Sequence, residues 1–240
     1  MSTINTEESA LQRLSELGKS IERKGFNFND LHEACILYWD LELGDRITFD
    51  PNNVQFTEPG TIASLVKERE NREFKRIHAA LPEDVRSGVD IGDLVNASRL
   101  GVRGFYELWN AVNITVGHYN EVKDVCYVAD PMPSLEGISP DKHKTCIAAH
   151  ELGHRFLHKK RFEKGLNGIP DATLEEQFCT RLETLFSSYV FVPATRKNTL
   201  ENLKARRKTI LPLLQSLLDP CKMAEYTREV IDFYSEAVGK

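Results

Sequence analysis

The run CIAAHELGHRFLH, from Cys146 to His158, puts His150, Glu151 and His154 in the order H-E-x-x-H. If the run is helical, the two histidines project from one face a turn apart, and both imidazoles can reach one metal ion. Glu151 stands about 100° around the helix from His150, so it can stay out of the ligand set and accept a proton from water. A metal that activates water beside a free carboxylate is the chemistry of hydrolysis. His158 extends the row but lies about 12 Å along the axis from His150, too far to share an ion on a straight helix. Its expected place is in support or packing. The plain alternative is a pair of buried histidines satisfied by hydrogen bonds alone.

A third ligand decides between these readings, because a catalytic tetrahedral site takes three protein groups and leaves one position open. The segment DATLEEQFCTRLETLFSSYVFVP supplies a second helix. Its Leu174, Phe178, Leu182, Leu185, Phe186 and Tyr189 make a broad apolar face, while Glu176, Cys179, Thr180, Glu183 and Ser187 make a small polar one. Glu176 follows His154 by 22 positions, which leaves room for the loop EKGLNGIPD. Glu183, two turns further on, is the rival ligand, and Glu175 projects toward the apolar side. A structural use for Glu176 is also open, since Thr173 as N-cap would close a capping box with it unless Asp171 caps instead.

Taken together, HELGHRFLH and EEQFCTRLETLFSSYVFVP resemble the ImmA/IrrE family of zinc metallopeptidases. In that family a HELGHxxLH helix is followed by E-x-x-[AC]-[ND]-x-F-A and an L-L-x-P ending. The resemblance covers about Asn113 to Pro193; Thr180 stands where the family usually carries Asn or Asp. It implies Zn2+ held by His150, His154 and Glu176, with Glu151 as the base. It also implies a cytoplasmic enzyme that cuts a repressor protein.

The elements that must position these residues are legible in outline. Ser139 as N-cap, Pro140 at the first helical position and Asp141 in the first turn open a helix that runs to about Arg161. Before it, NITVGHY and KDVCYVAD are β-rich runs around a short turn, a hairpin ended by Pro131 and Pro133. The run VCYVA is an expected place for an extended substrate to add as a strand. Tyr119, Tyr127, His118 and His143 are candidate oxyanion donors, unranked. Upstream, helices are expected near Glu8–Lys24, Phe28–Trp39 and Thr61–Leu81, with a short strand at Arg46–Phe49. The segment DIGDLVNASRLGVRGFYELWN has the outline of a helix-turn-helix, but Phe105, Tyr106 and Trp109 suit a core better than a DNA groove. A final helix is expected from about Lys222 to Val238.

Composition bounds the function. The 240 residues are 41% hydrophobic and 28% charged, with a net charge of -5, so a core is affordable and no global basic surface points to nucleic acid. Lys204, Arg206, Arg207 and Lys208 on a C-terminal helix are the one local place for a weak phosphate contact. Five spaced cysteines without a C-x-x-C pair indicate reduced thiols, and neither a secretory leader nor a membrane span is expected. The expected architecture is α+β: a zincin-like metallopeptidase domain with a small sheet over residues 86–240, preceded by a mainly helical region over 1–85. The expected function is a cytoplasmic zinc endopeptidase acting on a regulatory protein. The opposing expectation is a zinc-stabilised regulator or sensor without catalysis, which binds a protein or nucleic-acid partner.

Overall fold

The computed structural model describes residues 2–45, 47–98, 116–133, 136–192 and 209–238. These form an α+β fold that is mostly helical, with one three-stranded sheet. Helix α1 (Ser2–Lys24) turns at Gly25 into α2 (Phe28–Leu43), which Asn27 caps by accepting from the Asn29 and Asp30 amides at 2.8 and 3.2 Å. After β1 (Val54–Thr57) comes α3 (Pro59–Ala80), then the short α4 (Glu83–Arg86) and α5 (Ile91–Ser98). The hairpin strands are β2 (Gly117–Asn120) and β3 (Val125–Ala129). Next come α6 (Pro140–Glu163) and α7 (Ala172–Phe191), a helical stretch over residues 209–217, and α8 (Pro220–Val238).

Two apolar clusters hold these elements. The larger joins Leu14, Leu17 and Ile21 of α1 to Tyr38 and Trp39 of α2, Leu152 and Phe156 of α6, and Phe178 and Phe186 of α7. Helices α1 and α7 approach so closely that a Cβ on Gly18 would lie 1.7 Å from the Val190 carbonyl oxygen, which only glycine permits. The smaller cluster joins Phe74 and Ile77 of α3 to Leu94 of α5 and Val230 and Tyr234 of α8. Helix α3 therefore belongs to both, since its first turns place Ile62 and Leu65 in the larger cluster. Between those anchors it carries Arg69, Arg72, Glu73 and Arg76, at spacings that keep them on one side of the helix.

The sheet order is β1-β3-β2, with β1 parallel and β2 antiparallel to β3. All five residues of β3 are buried. Both edges of β3 are thus occupied, which rules out strand addition on VCYVA; β2 has no strand on its outer side among the described residues. The first strand also departs from expectation. Residues 47–50 pair with nothing as a strand, although Ile47 and Phe49 are buried, and the ladder begins at Val54. The cause is a capping box around Pro51–Asn53, where Asp50 and Asn53 satisfy each other's backbone amides and turn the chain before it enters the sheet.

The hairpin is tied to α6 by a buried arginine. Arg155, 3% exposed, donates from Nε and Nη2 to the two Asp124 carboxylate oxygens at 2.8 and 2.9 Å, and from Nη1 to the Thr48 carbonyl. Tyr119 donates its hydroxyl to Asp124 as well, at 3.2 Å. This fork sets β2 against α6 at the level of the H-E-x-x-H residues. The second half of the helix-turn-helix-like segment, from residue 99, and the basic positions Lys204, Arg206, Arg207 and Lys208 lie outside the described residues. No helix among the described residues is long and apolar enough to cross a membrane.

Candidate metal centre

The H-E-x-x-H run lies in the middle of α6, whose N-terminus is closed by Ser139 Oγ accepting from the Lys142 amide at 3.3 Å. Helix α7 packs along it, capped by Asp171, whose carboxylate accepts from the Leu174 amide at 2.9 Å. With Asp171 as the cap, Thr173 is already helical and Glu176 has no capping duty. Its carboxylate turns instead to α6. Glu176 Oε2 lies 3.3 Å from His150 Nε2 and Oε1 lies 3.2 Å from His154 Nε2, and the two Nε2 atoms are 3.2 Å apart. A tetrahedral ion with bonds of about 2.0–2.1 Å requires donor atoms about 3.3–3.4 Å apart. The short contacts use both Glu176 oxygens; with one donor atom from each residue, His150, His154 and Glu176 lie within 4.8 Å of one another and form a group that can hold a metal ion, and three single-atom donors leave one tetrahedral position for another ligand.

The other imidazole nitrogens are held by carboxylates. His150 Nδ1 lies 3.1 Å from Glu183 Oε2, and His154 Nδ1 lies 2.7 Å from Glu175 Oε1. An Nδ1–H donated to each carboxylate leaves the Nε2 lone pairs facing each other and Glu176, the tautomer a metal needs. Glu183, the rival ligand from sequence, thus sits behind His150 and not among the donors. Glu175 departs from expectation more sharply. It does point inward, toward the core side, yet it is 5% exposed and charged, because Arg161 at the end of α6 pairs with its second oxygen. Arg161 lies two turns beyond His154 on the same face, and that spacing was the one available hint of a buried ion pair.

Electrostatics favour positive charge at this spot. Burial would lower the His150 pKa, but hydrogen bonds to Glu176 and Glu183 outweigh it and raise it to about 10. His154 is also raised, against burial, by Cys179 and Glu176. Burial would raise Glu176, yet the two histidines hold it well below the usual carboxylate range. Three carboxylates around two imidazoles stabilise cations, whether protons or a metal ion.

Glu151 is 6% exposed and faces β2. A Cβ on Gly117 would come within 2.4 Å of its Oε1 and 2.6 Å of Ile147 Cγ2, so the glycine leaves the space the carboxylate occupies. Burial raises its pKa, as suits a general base. His158 takes no part in the donor set; its ring packs on Tyr119 at 5.8 Å and its Nδ1 lies 3.7 Å from Glu121. Among the oxyanion candidates, Tyr119 gives its hydroxyl to Asp124, Tyr127 is buried in the central strand and His143 lies two turns before His150. His118 is the candidate whose electrostatic neighbours include a metal-ligand position, His154. Sequence reasoning gave α3 no function, yet Arg69 and Glu73 from that helix line a polar cavity against His154, with Glu121, His158, Arg161 and Glu175.

Compared with protein-family models, curated proteins and solved structures, the chain shows no match.

Proposed function

We propose that this protein is a zinc-dependent endopeptidase with a zincin-like catalytic domain, and the observation that carries the proposal is the H-E-x-x-H pair closed by Glu176 with Glu151 left free. A structural zinc site uses four protein ligands and has no need of a base beside it. Zinc supplies Lewis acidity toward water and toward the scissile carbonyl. His150, His154 and Glu176 hold the ion, and Glu175 and Glu183 keep the imidazoles in the binding tautomer. Glu151 takes one proton from the attacking water and passes it to the leaving amine, and the second water proton follows from the new carboxyl group, so that water and a peptide bond become a carboxylate and an ammonium group. The resemblance of α6 and α7 to the ImmA/IrrE metallopeptidases supports the same ligands and points to a cytoplasmic regulatory protein of the repressor type as substrate.

Glu151→Gln tests the reading. The amide keeps size and hydrogen bonding but accepts no proton at neutral pH. Zinc content and melting temperature should persist while peptide hydrolysis falls by on the order of a hundredfold to ten-thousandfold. Retention of the biological activity with zinc in place would show a regulator instead of a peptidase. Co-expression with repressor-like proteins, scored for cleavage, identifies the substrate.

A further inference from the structure

The inward stripe of α3 reads Ile62, Leu65, Arg69, Glu73, Ile77, at steps of three and four residues that keep one face toward the protein. Its ends are apolar, with Ile62 and Leu65 in the larger cluster and Ile77 in the smaller. Its middle is charged, and there Arg69 and Glu73 face a polar cavity of about 30 Å3 whose other walls include His154 and Arg161 of α6 and Glu175 of α7. Such a space holds about two waters. Donors and acceptors around it are unequally served. Glu73 accepts from Arg76 at 3.1 Å, and Glu175 accepts from His154 Nδ1 at 2.7 Å on one oxygen and from Arg161 Nη2 on the other. A carboxylate oxygen can accept more than one hydrogen bond, and Glu175 is buried, so its remaining acceptor sites depend on what the cavity supplies. Arg69 is the complement. Its guanidinium makes no hydrogen bond or ion pair among the described residues, and its nitrogens are open to solvent. Burial would lower its pKa, but the surrounding carboxylates, Glu175 foremost, raise it.

We propose that Arg69 is a positioning residue of the metal centre: its guanidinium, through water held in this cavity, supports Glu175 and so keeps the His154 imidazole aimed at the ion. The proposal rests on the zinc-site part of the reading above and not on peptide hydrolysis. Water suits the gap, because it accepts from a guanidinium and donates to a carboxylate at once. Glu175 in turn fixes the ring orientation and tautomer of His154, so a loss on the cavity side is felt at Nε2. A charged break in an otherwise apolar stripe is costly unless it meets polar partners, and the metal centre's outer carboxylate is the partner it meets. A residue of the N-terminal region thereby serves a centre whose ligands all come from α6 and α7.

Zinc affinity, from competition with a chromophoric chelator, and the visible spectrum of cobalt-loaded protein are compared for wild type, Arg69→Met and Arg69→Lys. Arg69→Met should bind zinc about tenfold more weakly and shift the cobalt bands, whereas Arg69→Lys, which keeps a charged donor, should restore most of both. Wild-type zinc affinity and cobalt bands in Arg69→Met overturn the proposal, even if that variant melts at a lower temperature. Should Arg69→Met fail to fold, the wild-type protein decides alone. Zinc loading should then move the NMR signal of the Arg69 Nε–H and leave in place that of the exposed Arg13, bonded to Glu33 at 2.7 Å. An Arg69 signal that does not respond to zinc overturns the proposal equally. Either negative result leaves the zinc centre and the Glu151→Gln test standing, whereas wild-type protein that takes up no metal overturns the centre and this inference together.

Discussion

The two histidines of the metal centre are a turn apart on one helix, yet they stand in opposite surroundings. His154 and its partner Glu175 have side chains only 4% and 6% exposed, and Arg161 closes the charge balance behind them. His150 and its partner Glu183 are 13% and 27% exposed, and no lysine or arginine pairs with Glu183 among the described residues. One side of the centre is thus part of the protein's interior, and the other opens to water. A buried carboxylate that loses its partner, or a buried arginine that loses its carboxylate, is a folding problem, whereas the same loss at an exposed edge is screened.

The largest expected effect ignores that asymmetry, because Glu176 touches both histidines. Glu176→Ala should reduce zinc from about one per chain to near none, measured by elemental analysis after purification without chelators. Zinc retained in Glu176→Ala but lost in Glu183→Ala would reverse the ligand assignment. Next in size is Glu175→Ala, which leaves Arg161 buried without its anion. It should cost about 3–5 kcal/mol in denaturant unfolding and weaken metal binding by about 10–100-fold. A stability unchanged within about 1 kcal/mol would show that the sealed side is not sealed.

Acidity probes the pair more gently. In metal-free protein the His150 pKa is raised to about 10, above its ordinary 6.5. A raised pKa contributes stability that is complete below 6.5 and is lost as pH climbs through about 10, so metal-free protein should weaken across that window. Zinc must displace the proton, so its apparent affinity should rise by about tenfold per pH unit for each proton released in the same range. Calorimetry in buffers of different ionisation enthalpy counts those protons, and binding without proton release would remove the basis for the shift. The smallest effect is expected from Glu183→Ala, with metal affinity down by about tenfold and stability changed by less than about 1 kcal/mol. If Glu183→Ala proved as destabilising as Glu175→Ala, the contrast between the two sides would collapse.

Several features of the centre were legible in the linear order of residues because they depend on near neighbours. Ser139, Pro140 and Asp141 start α6 as their types require, and 3.6 residues per turn then bring His150 and His154 to one face with Glu151 beside them. The polar face of α7 was legible too, and with it Glu176 and Glu183 as competitors. Other features depend on what lies opposite in space. A five-residue apolar strand reads alike at an edge or at the centre of a sheet, so β3 showed its central place only once β1, some seventy residues earlier, was paired with it. Glu175 looked misplaced on an apolar face, since nothing nearby in sequence announces that Arg161 will meet it. Amino-acid order alone thus determined α6 with its Ser139 cap, and which side chains of α6 and α7 share a face, because those follow from backbone geometry over a few residues. Only the tertiary structure decided which carboxylate meets Nε2 and which meets Nδ1, and that a charged stretch of α3 lies against the centre. Those choices depend on how helices distant in sequence pack to bury their apolar faces, and a displacement of one helical position is enough to exchange ligand for support.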